Sequence, residues 1–138
     1  MGLYDQNEIS VTEIGKDNFA QSIRMGKHII IADEPEAFGG KDSGPNPYDL
    51  LLASLGACTS ITLRMYALRE NIPLKTIHIS LNHQKVDDND LIYYTVYVEG
   101  DFTSTQKDDL LKVVENCPIH KILERSFTIK TALEIKKD

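Results

Sequence analysis

The residues from Asn46 to Glu70 constrain this chain more than any other segment. Asn46 is of the type that caps a helix, Pro47 suits a first helical turn, and Asp49 lies near the positive end of the helix dipole. The run that follows, Leu50-Leu51-Leu52-Ala53-Ser54-Leu55-Gly56-Ala57-Cys58-Thr59-Ser60, is apolar on nearly every helical face. The pattern predicts a long helix reaching Glu70 and stopping before Asn71-Ile72-Pro73. A helix of this kind needs cover on more than one side. One small sheet is too little, so the pattern also predicts a homodimer whose second subunit covers the rest. Ser54, Thr59, Ser60, Thr62 and Arg64 interrupt the apolar run, which therefore reads as a buried helix and not as a membrane span.

The remaining segments fill in the cover. Ile9 and Val11, then Phe19, Gln21 and Ile23, alternate with other residues, and His28 to Ala32 is a short β-branched run. These read as a small antiparallel meander. Asp33 to Pro45 has no period and contains Pro35, Gly39, Gly40 and Gly44, the mark of a long irregular loop. Beyond the helix, Ile77, Ile79 and Leu81 alternate, Asp87 to Asp90 turns the chain, and Ile92, Tyr94, Val96 and Val98 alternate on the return. Thr105, with Asp108 three residues on, predicts the start of a second helix whose stripe is Leu110, Leu111, Val113 and Val114. Cys117-Pro118 breaks it, Ile119, Ile122 and Leu123 suggest a third helix, and Phe127, Ile129, Leu133 and Ile135 a last strand. The order βββ-α-ββ-αα-β gathers strands in hairpins, which predicts an α+β fold with antiparallel pairing. At 138 residues, 41% hydrophobic and 26% charged, residues 1–138 read as one domain.

Composition excludes some partners. Fifteen Lys and Arg stand against 21 Asp and Glu, a net charge of −6 with no basic cluster. Such a chain is a poor ligand for nucleic acid or an anionic membrane. Met1 to Gln6 has no basic or apolar leader, and Gln6 breaks the myristoylation pattern that Met-Gly would open. The expected location is cytoplasmic. Thiols there are held reduced, so a pair of cysteines points to catalysis, redox chemistry or metal more than to a structural staple.

The two cysteines sit in contrasting settings. Cys58 is deep in the long helix and gains nothing from a helix end, so it needs a nearby cation to become a thiolate; Arg24 is the only arginine upstream of it. Cys117 precedes Pro118, and if Pro118 opens the third helix then Cys117 is its N-cap, where an anion is favoured. His120 follows three residues on.

Gly44-Pro45-Asn46-Pro47-Tyr48-Asp49 through Ala57-Cys58-Thr59, together with Asn116-Cys117-Pro118, resembles the OsmC/Ohr family of osmotically inducible and organic hydroperoxide resistance proteins. Asp33-Glu34-Pro35 is similar to its OsmC-like redox-protein branch. The resemblance implies an intertwined homodimer with antiparallel sheets packed on a long central cysteine-bearing helix. It implies reduction of small-molecule hydroperoxides without metal or other cofactor: Cys58 attacks, Cys117 resolves, and a dithiol reductant restores the pair. It also implies an arginine from an early strand beside the attacking thiol, for which Arg24 is the candidate, oriented by a carboxylate. The family's Glu after Asn-Pro is missing here, where Tyr48 and Asp49 follow Pro47, which leaves Asp49 or Glu34 for that role.

Other chemistries have weaker signals. Cys117-x-x-His120 with Cys58 would supply part of a metal site, but no second Cys-x-x-Cys or paired-His spacing accompanies it. His78 and His83 fall on opposite strand faces, and neither a nucleophile elbow nor a phosphate loop is present. The alternative to a peroxidase is a non-catalytic dimeric module with an interfacial apolar cleft, its cysteines serving as redox sensors.

Overall fold

The computed structural model describes residues 8–125 and 127–136; residues 1–7, on which the leader and myristoylation readings rest, lie outside it. In chain order the elements are β1 (Ile9–Glu13), β2 (Gln21–Met25), β3 (His28–Ala32), α1 (Pro47–Arg69), β4 (Leu74–Val86), β5 (Asn89–Gly100), α2 (Ser104–Glu115) and α3 (Pro118–Leu123). The class is α+β with two antiparallel sheets, ordered β1-β2-β3 and β4-β5. The chain divides into two compact units, residues 1–53 with 82–93 and residues 54–81 with 94–138.

In the first unit the meander pairs Val11 with Ile23 and Ile23 with Ile30. Gly26, at φ 60°, opens the two-residue turn between β2 and β3. The irregular loop after β3 is organised by one carboxylate. Asp33, 2% exposed, accepts hydrogen bonds from the Glu34 amide (2.7 Å), the Ser43 hydroxyl (2.7 Å), the Ser43 amide (3.1 Å) and the Lys41 amide (3.3 Å). The loop is drawn in so closely that a Cβ on Gly40 would strike the Glu34 carbonyl, and one on Gly44 the Ile31 carbonyl. Only glycine fits at either place.

The helix begins as its sequence predicts. The Asp49 amide donates to Asn46 Oδ1 (2.8 Å) and the Asn46 amide to Asp49 Oδ2 (3.3 Å), a reciprocal cap. It ends at Arg69, one residue before the expected Glu70, and Asn71 at φ 54° turns the chain away.

The second unit holds the main core. Leu63 and Ala67 of α1, Ile72, Leu74, and Leu110 of α2 are buried together, with Ile77, Val96, Val98 and Phe102 packed against them. The hairpin β4–β5 turns on Asp87 and Asp88, both at positive φ, a turn whose hand matches strand twist. Ile77, Ile79 and Leu81 share the more buried face of β4, and Ile92, Tyr94, Val96 and Val98 that of β5, as the alternation predicts.

Three expectations are corrected. The N-cap of α2 is Thr103, not Thr105, because Thr103 and Gln106 form a complete capping box. Leu111 is 58% exposed and lies outside the buried stripe of α2. Residues 127–136 form no strand: Phe127, Ile129, Leu133 and Ile135 are 64–86% exposed. Alternation supplies a strand's two faces but not the neighbour that its amides and carbonyls require.

The Asp33 cluster yields a prediction. The Ser43 hydroxyl, and after it the Ser43 amide, hold the Asp33 carboxyl down from 3.8 to about 2, against the opposing effect of burial. A depressed carboxylate stabilises the folded loop fully above its unfolded pKa and ceases to do so as pH falls through the folded value. Hydrogen exchange at the Glu34, Lys41 and Ser43 amides should therefore be slow above about pH 4 and lose its protection towards pH 2. Asp33→Ala should speed that exchange at neutral pH by roughly tenfold or more. Equal exchange in the two proteins would show that the carboxylate does not hold the loop.

Candidate functional site

The two cysteines come together in the second unit. α1 buries a single stripe, Leu55, Thr59, Leu63 and Ala67, spaced at four residues. Cys58 lies next to that stripe and is partly exposed. Cys117 is the N-cap of α3, with Pro118 in the first turn as the sequence predicts, and is wholly buried. The two thiols lie close enough for each to shift the other's acidity, and Cys58 Sγ lies 4.0 Å from Thr62 Oγ1.

This pairing gives the thiols opposite acidities. Burial raises the pKa of Cys58, and the contact with Cys117 raises it further by placing negative charge beside it. Burial also acts to raise Cys117. The Cys58 thiol, the His120 amide, the Thr59 hydroxyl and the Ile119 amide outweigh it and leave Cys117 below the ordinary thiol value. The two thiols are thus shifted in opposite directions, Cys58 up and Cys117 down, each in part through the other.

Three further residues surround Cys117. Thr59 is wholly buried, and its hydroxyl has no hydrogen-bond partner. An unsatisfied hydroxyl in such a place costs about 1–3 kcal/mol. It lies close enough to Cys117 and to Tyr94 to favour the anionic form of each. Tyr94 Oη is 2.6 Å from His120 Nδ1, with the two rings edge to face at 5.6 Å. His120 Nδ1 is also 3.2 Å from the Val114 carbonyl, and Nε2 is 3.7 Å from Glu124 Oε1. Burial raises the pKa of Tyr94; the Thr59 hydroxyl opposes this, and the charges of Cys117, Glu124 and Glu115 add to it.

Sequence reasoning singled out Cys58, Cys117 and His120 but read Tyr94 only as one of the alternating residues of the return strand. Tyr93 and Tyr97 are more than half exposed, whereas Tyr94 faces inward among apolar residues. Its odd-even phase in β5 carried that signal, because an inward Tyr needs a partner for its hydroxyl. Thr59 gave none beyond its adjacency to Cys58.

Arg24, Glu34 and Asp49 all belong to the first unit. Arg24 is exposed on β2, opposite Ser10 and Ile29. Asp49 is engaged in the cap of α1. Glu34 joins the Asp33 loop through its backbone. Among the described residues no ion pair links Arg24 to either carboxylate. Of the other arginines, Arg64 directs its guanidinium to the carbonyls of Leu74 (2.6 Å) and Lys75 (3.0 Å). No trio of His, Cys, Asp or Glu among the described residues is placed to hold a metal ion.

Each thiol's acidity should depend on the other. Cys58→Ala removes the S–H donor from Cys117 and should raise the Cys117 pKa. Cys117→Ala removes a negative neighbour from Cys58 and should lower the Cys58 pKa. Thiolate ultraviolet absorbance across a pH titration reads both, and shifts of the opposite sign would exclude this mutual influence of the two thiols.

Comparison with known proteins bears on what such a pair does. A family model described as OsmC-like protein matches residues 40–132. The fold is shared with an OsmC-like protein from Mycoplasma pneumoniae, with a TM-score of 0.72 at 17% identity, covering 87% of this chain and 88% of that one. It is shared with an organic hydroperoxide resistance protein OsmC from Legionella pneumophila, with a TM-score of 0.62 at 17% identity over 89% and 91% of the two chains. The organic hydroperoxide resistance protein OhrB of Bacillus subtilis is 26% identical, with a TM-score of 0.53, over 83% of this chain and 89% of that one. No curated protein matches significantly.

Proposed function

This chain belongs to the OsmC-like protein family, and on that premise we propose that it has a stress-related redox role as a thiol-dependent reductant of organic hydroperoxides or hydrogen peroxide. The observation that carries the reading is the contact between a partly exposed Cys58 and an enclosed Cys117. Two solved structures of the same fold are described as organic hydroperoxide resistance proteins, which supports the substrate class.

In this reading Cys58 is the protonated thiol and Cys117 the base, in the sense of their opposite pKa shifts. A peroxide reaches Cys58 and not the buried Cys117. As the Cys58 sulfur attacks the distal peroxide oxygen, its proton passes to Cys117, the O–O bond breaks, and the alkoxide leaves and takes a proton from water. Cys58 becomes a sulfenic acid. Cys117 then loses its proton and attacks the Cys58 sulfur. The S–S bond forms, the S–O bond breaks, and the departing hydroxide becomes water. A dithiol reductant returns the disulfide to two thiols.

In this reading residues 1–138 act as a single OsmC-like domain, in the cytoplasm, within an intertwined homodimer. Ile61, Met65 and Leu68 of α1, 55–70% exposed in the single chain, and the apolar tail from Phe127 to Ile135 are what a second subunit would cover. Arg24, oriented by Asp49 or Glu34, is the proposed cation that completes activation of Cys58 in that assembly. The raised Cys58 pKa favours a second reading, a non-catalytic dimeric module that binds an apolar ligand or senses oxidants slowly.

Peroxide consumption with a dithiol reductant separates the two. The unmodified protein should turn over organic hydroperoxides. Cys58→Ser should fall to background. Cys117→Ser should consume about one equivalent per chain and stop, leaving Cys58 open to over-oxidation. Turnover at the full rate in Cys58→Ser would refute the assigned roles, and no turnover in the unmodified protein would leave the binding module.

A further inference from the structure

The interior of the second unit is not filled throughout. A cavity of about 170 Å³ opens between β5 and α2, walled by Leu63 of α1, Val96 and Val98 of β5, and Leu110 and Val114 of α2. All of these belong to the same compact unit. Leu63 is wholly buried and Leu110 is 5% exposed, so the floor of the cavity is the main core itself. Lys107 and Leu111, one turn apart on α2, complete the lining at its exposed rim. Leu111 thus lies outside the buried stripe because it stands at a mouth and not over a packed core.

Neither side chains nor water suit this space. Protein interiors pack as densely as organic crystals, and a void leaves the atoms around it without contacts. Water settles in a cavity only where about two to four polar groups can hold it. The walls here are aliphatic, with the Lys107 side chain as the one charged group. An apolar cavity of roughly 150 Å³ stays dry and takes up a molecule the size of benzene. By that measure this one accepts an apolar body of about six carbons.

The rim selects the charge of such a guest. Among the described residues Lys107 joins no ion pair. Asp108 and Asp109 are one and two positions further on, so they do not face it across the helix surface. The place four residues on, where a carboxylate partner would stand, is taken by Leu111. In a chain of net charge −6, an unpartnered ammonium therefore overlooks an apolar opening.

We propose that this cavity is a binding site for a small apolar monocarboxylate, its hydrocarbon tail among Leu63, Val96, Val98, Leu110 and Val114 and its carboxylate at the Lys107 ammonium. The ligand is a free molecule, since a cavity of this volume admits one short tail and no length of polypeptide. The site goes beyond the thiol chemistry. Neither cysteine is among its described walls, and it requires no oxidant and no second subunit.

Heptanoate titrated into the methyl-labelled full-length protein tests the site by NMR. The methyls of Leu63, Val96, Val98, Leu110 and Val114 should shift along saturable curves. Those of Ile61, Met65 and Leu68, exposed on α1, should not. From butanoate to heptanoate each added methylene should tighten binding about fourfold, the contribution of one buried CH2. The gain should stop by decanoate, whose tail exceeds the cavity. Heptanamide, of the same shape without the charge, should bind roughly three- to fivefold more weakly, in keeping with an exposed ion pair.

Two variants isolate that charge. Lys107→Met keeps the apolar stem and should bind heptanoate and heptanamide alike. Leu111→Glu gives Lys107 a carboxylate partner four residues on and should also abolish the preference for the acid. Both positions are exposed, so neither change disturbs the core. Shifts that stay linear to the solubility limit, that fall on Ile61, Met65 and Leu68 instead, or that are equal for heptanoate and heptanamide in the unmodified protein would each overturn the site. So would protection of Cys58 from alkylation, which would seat the acid at the thiols. A fall in sedimenting mass on binding would give the cavity to a second copy of the chain and overturn it too. Peroxide turnover enters none of these outcomes, so the site and the peroxidase can fail separately.

Discussion

The structure depends on a helix that is apolar on two opposite faces. Leu55, Thr59, Leu63 and Ala67 make one stripe of α1, buried within the chain. Leu51, Ile61, Met65 and Leu68 make another, 43–70% exposed. Burying one such side chain fully contributes about 1.5–3 kcal/mol, so the exposed stripe holds several kcal/mol that a single chain leaves unrealised. By length and hydropathy α1 alone would also pass for a membrane span. Its place in the fold argues otherwise: Leu63 and Ala67 are core residues, and Arg64 binds the start of β4. Cys58 falls on the exposed side of the helix and Thr59 on the buried side. Consecutive residues thus face outward and inward, a difference that a one-residue step along the helix produces.

Much of this was legible in the sequence, and the reasons differ by element. The start of α1 was, because Asn46, Pro47 and Asp49 act locally and their chemistry needs no tertiary partner. The hairpin was, because period-two alternation on both strands agrees with a turn-forming pair between them. Cys117 at an N-cap was, because Pro118 has few other places in a helix. The start of α2 was displaced by two residues because Thr103 and Thr105 are both capping types, and only the reach of Gln106 back to Thr103 decides between them. The tail from Phe127 was misread because a strand is a property of two segments, and alternation describes only one.

The site was legible in its sulfurs and not in their surroundings. Motif and spacing singled out Cys58 and Cys117 as candidates, but the direction in which each pKa moves is decided by contacts among residues far apart in sequence. Tyr94 and Cys117 are separated by a turn and the whole of α2, and Thr59 precedes both by the length of the hairpin. A sequence reading attached the thiolate question to Cys58 and looked for a cation. The fold gives Cys58 a sulfur neighbour instead, and the pKa of that neighbour is lowered while that of Cys58 is raised.

This placement alters what activation of Cys58 requires. A cation such as Arg24 would act by lowering the Cys58 pKa outright. Cys117 raises the Cys58 pKa, yet in the proposed reaction it is the base that receives the Cys58 proton during attack. The two devices are not alternatives. A cation near Cys58 would stabilise negative charge on either sulfur, and the proton would pass between them with a smaller difference in energy. The cost of the sulfur base is that it ends the first step protonated and enclosed. A resolving thiol that faced solvent would lose its proton to water but would compete with Cys58 for oxidant. In the proposed reaction, enclosing Cys117 protects it from oxidant and moves the difficulty to the loss of its proton.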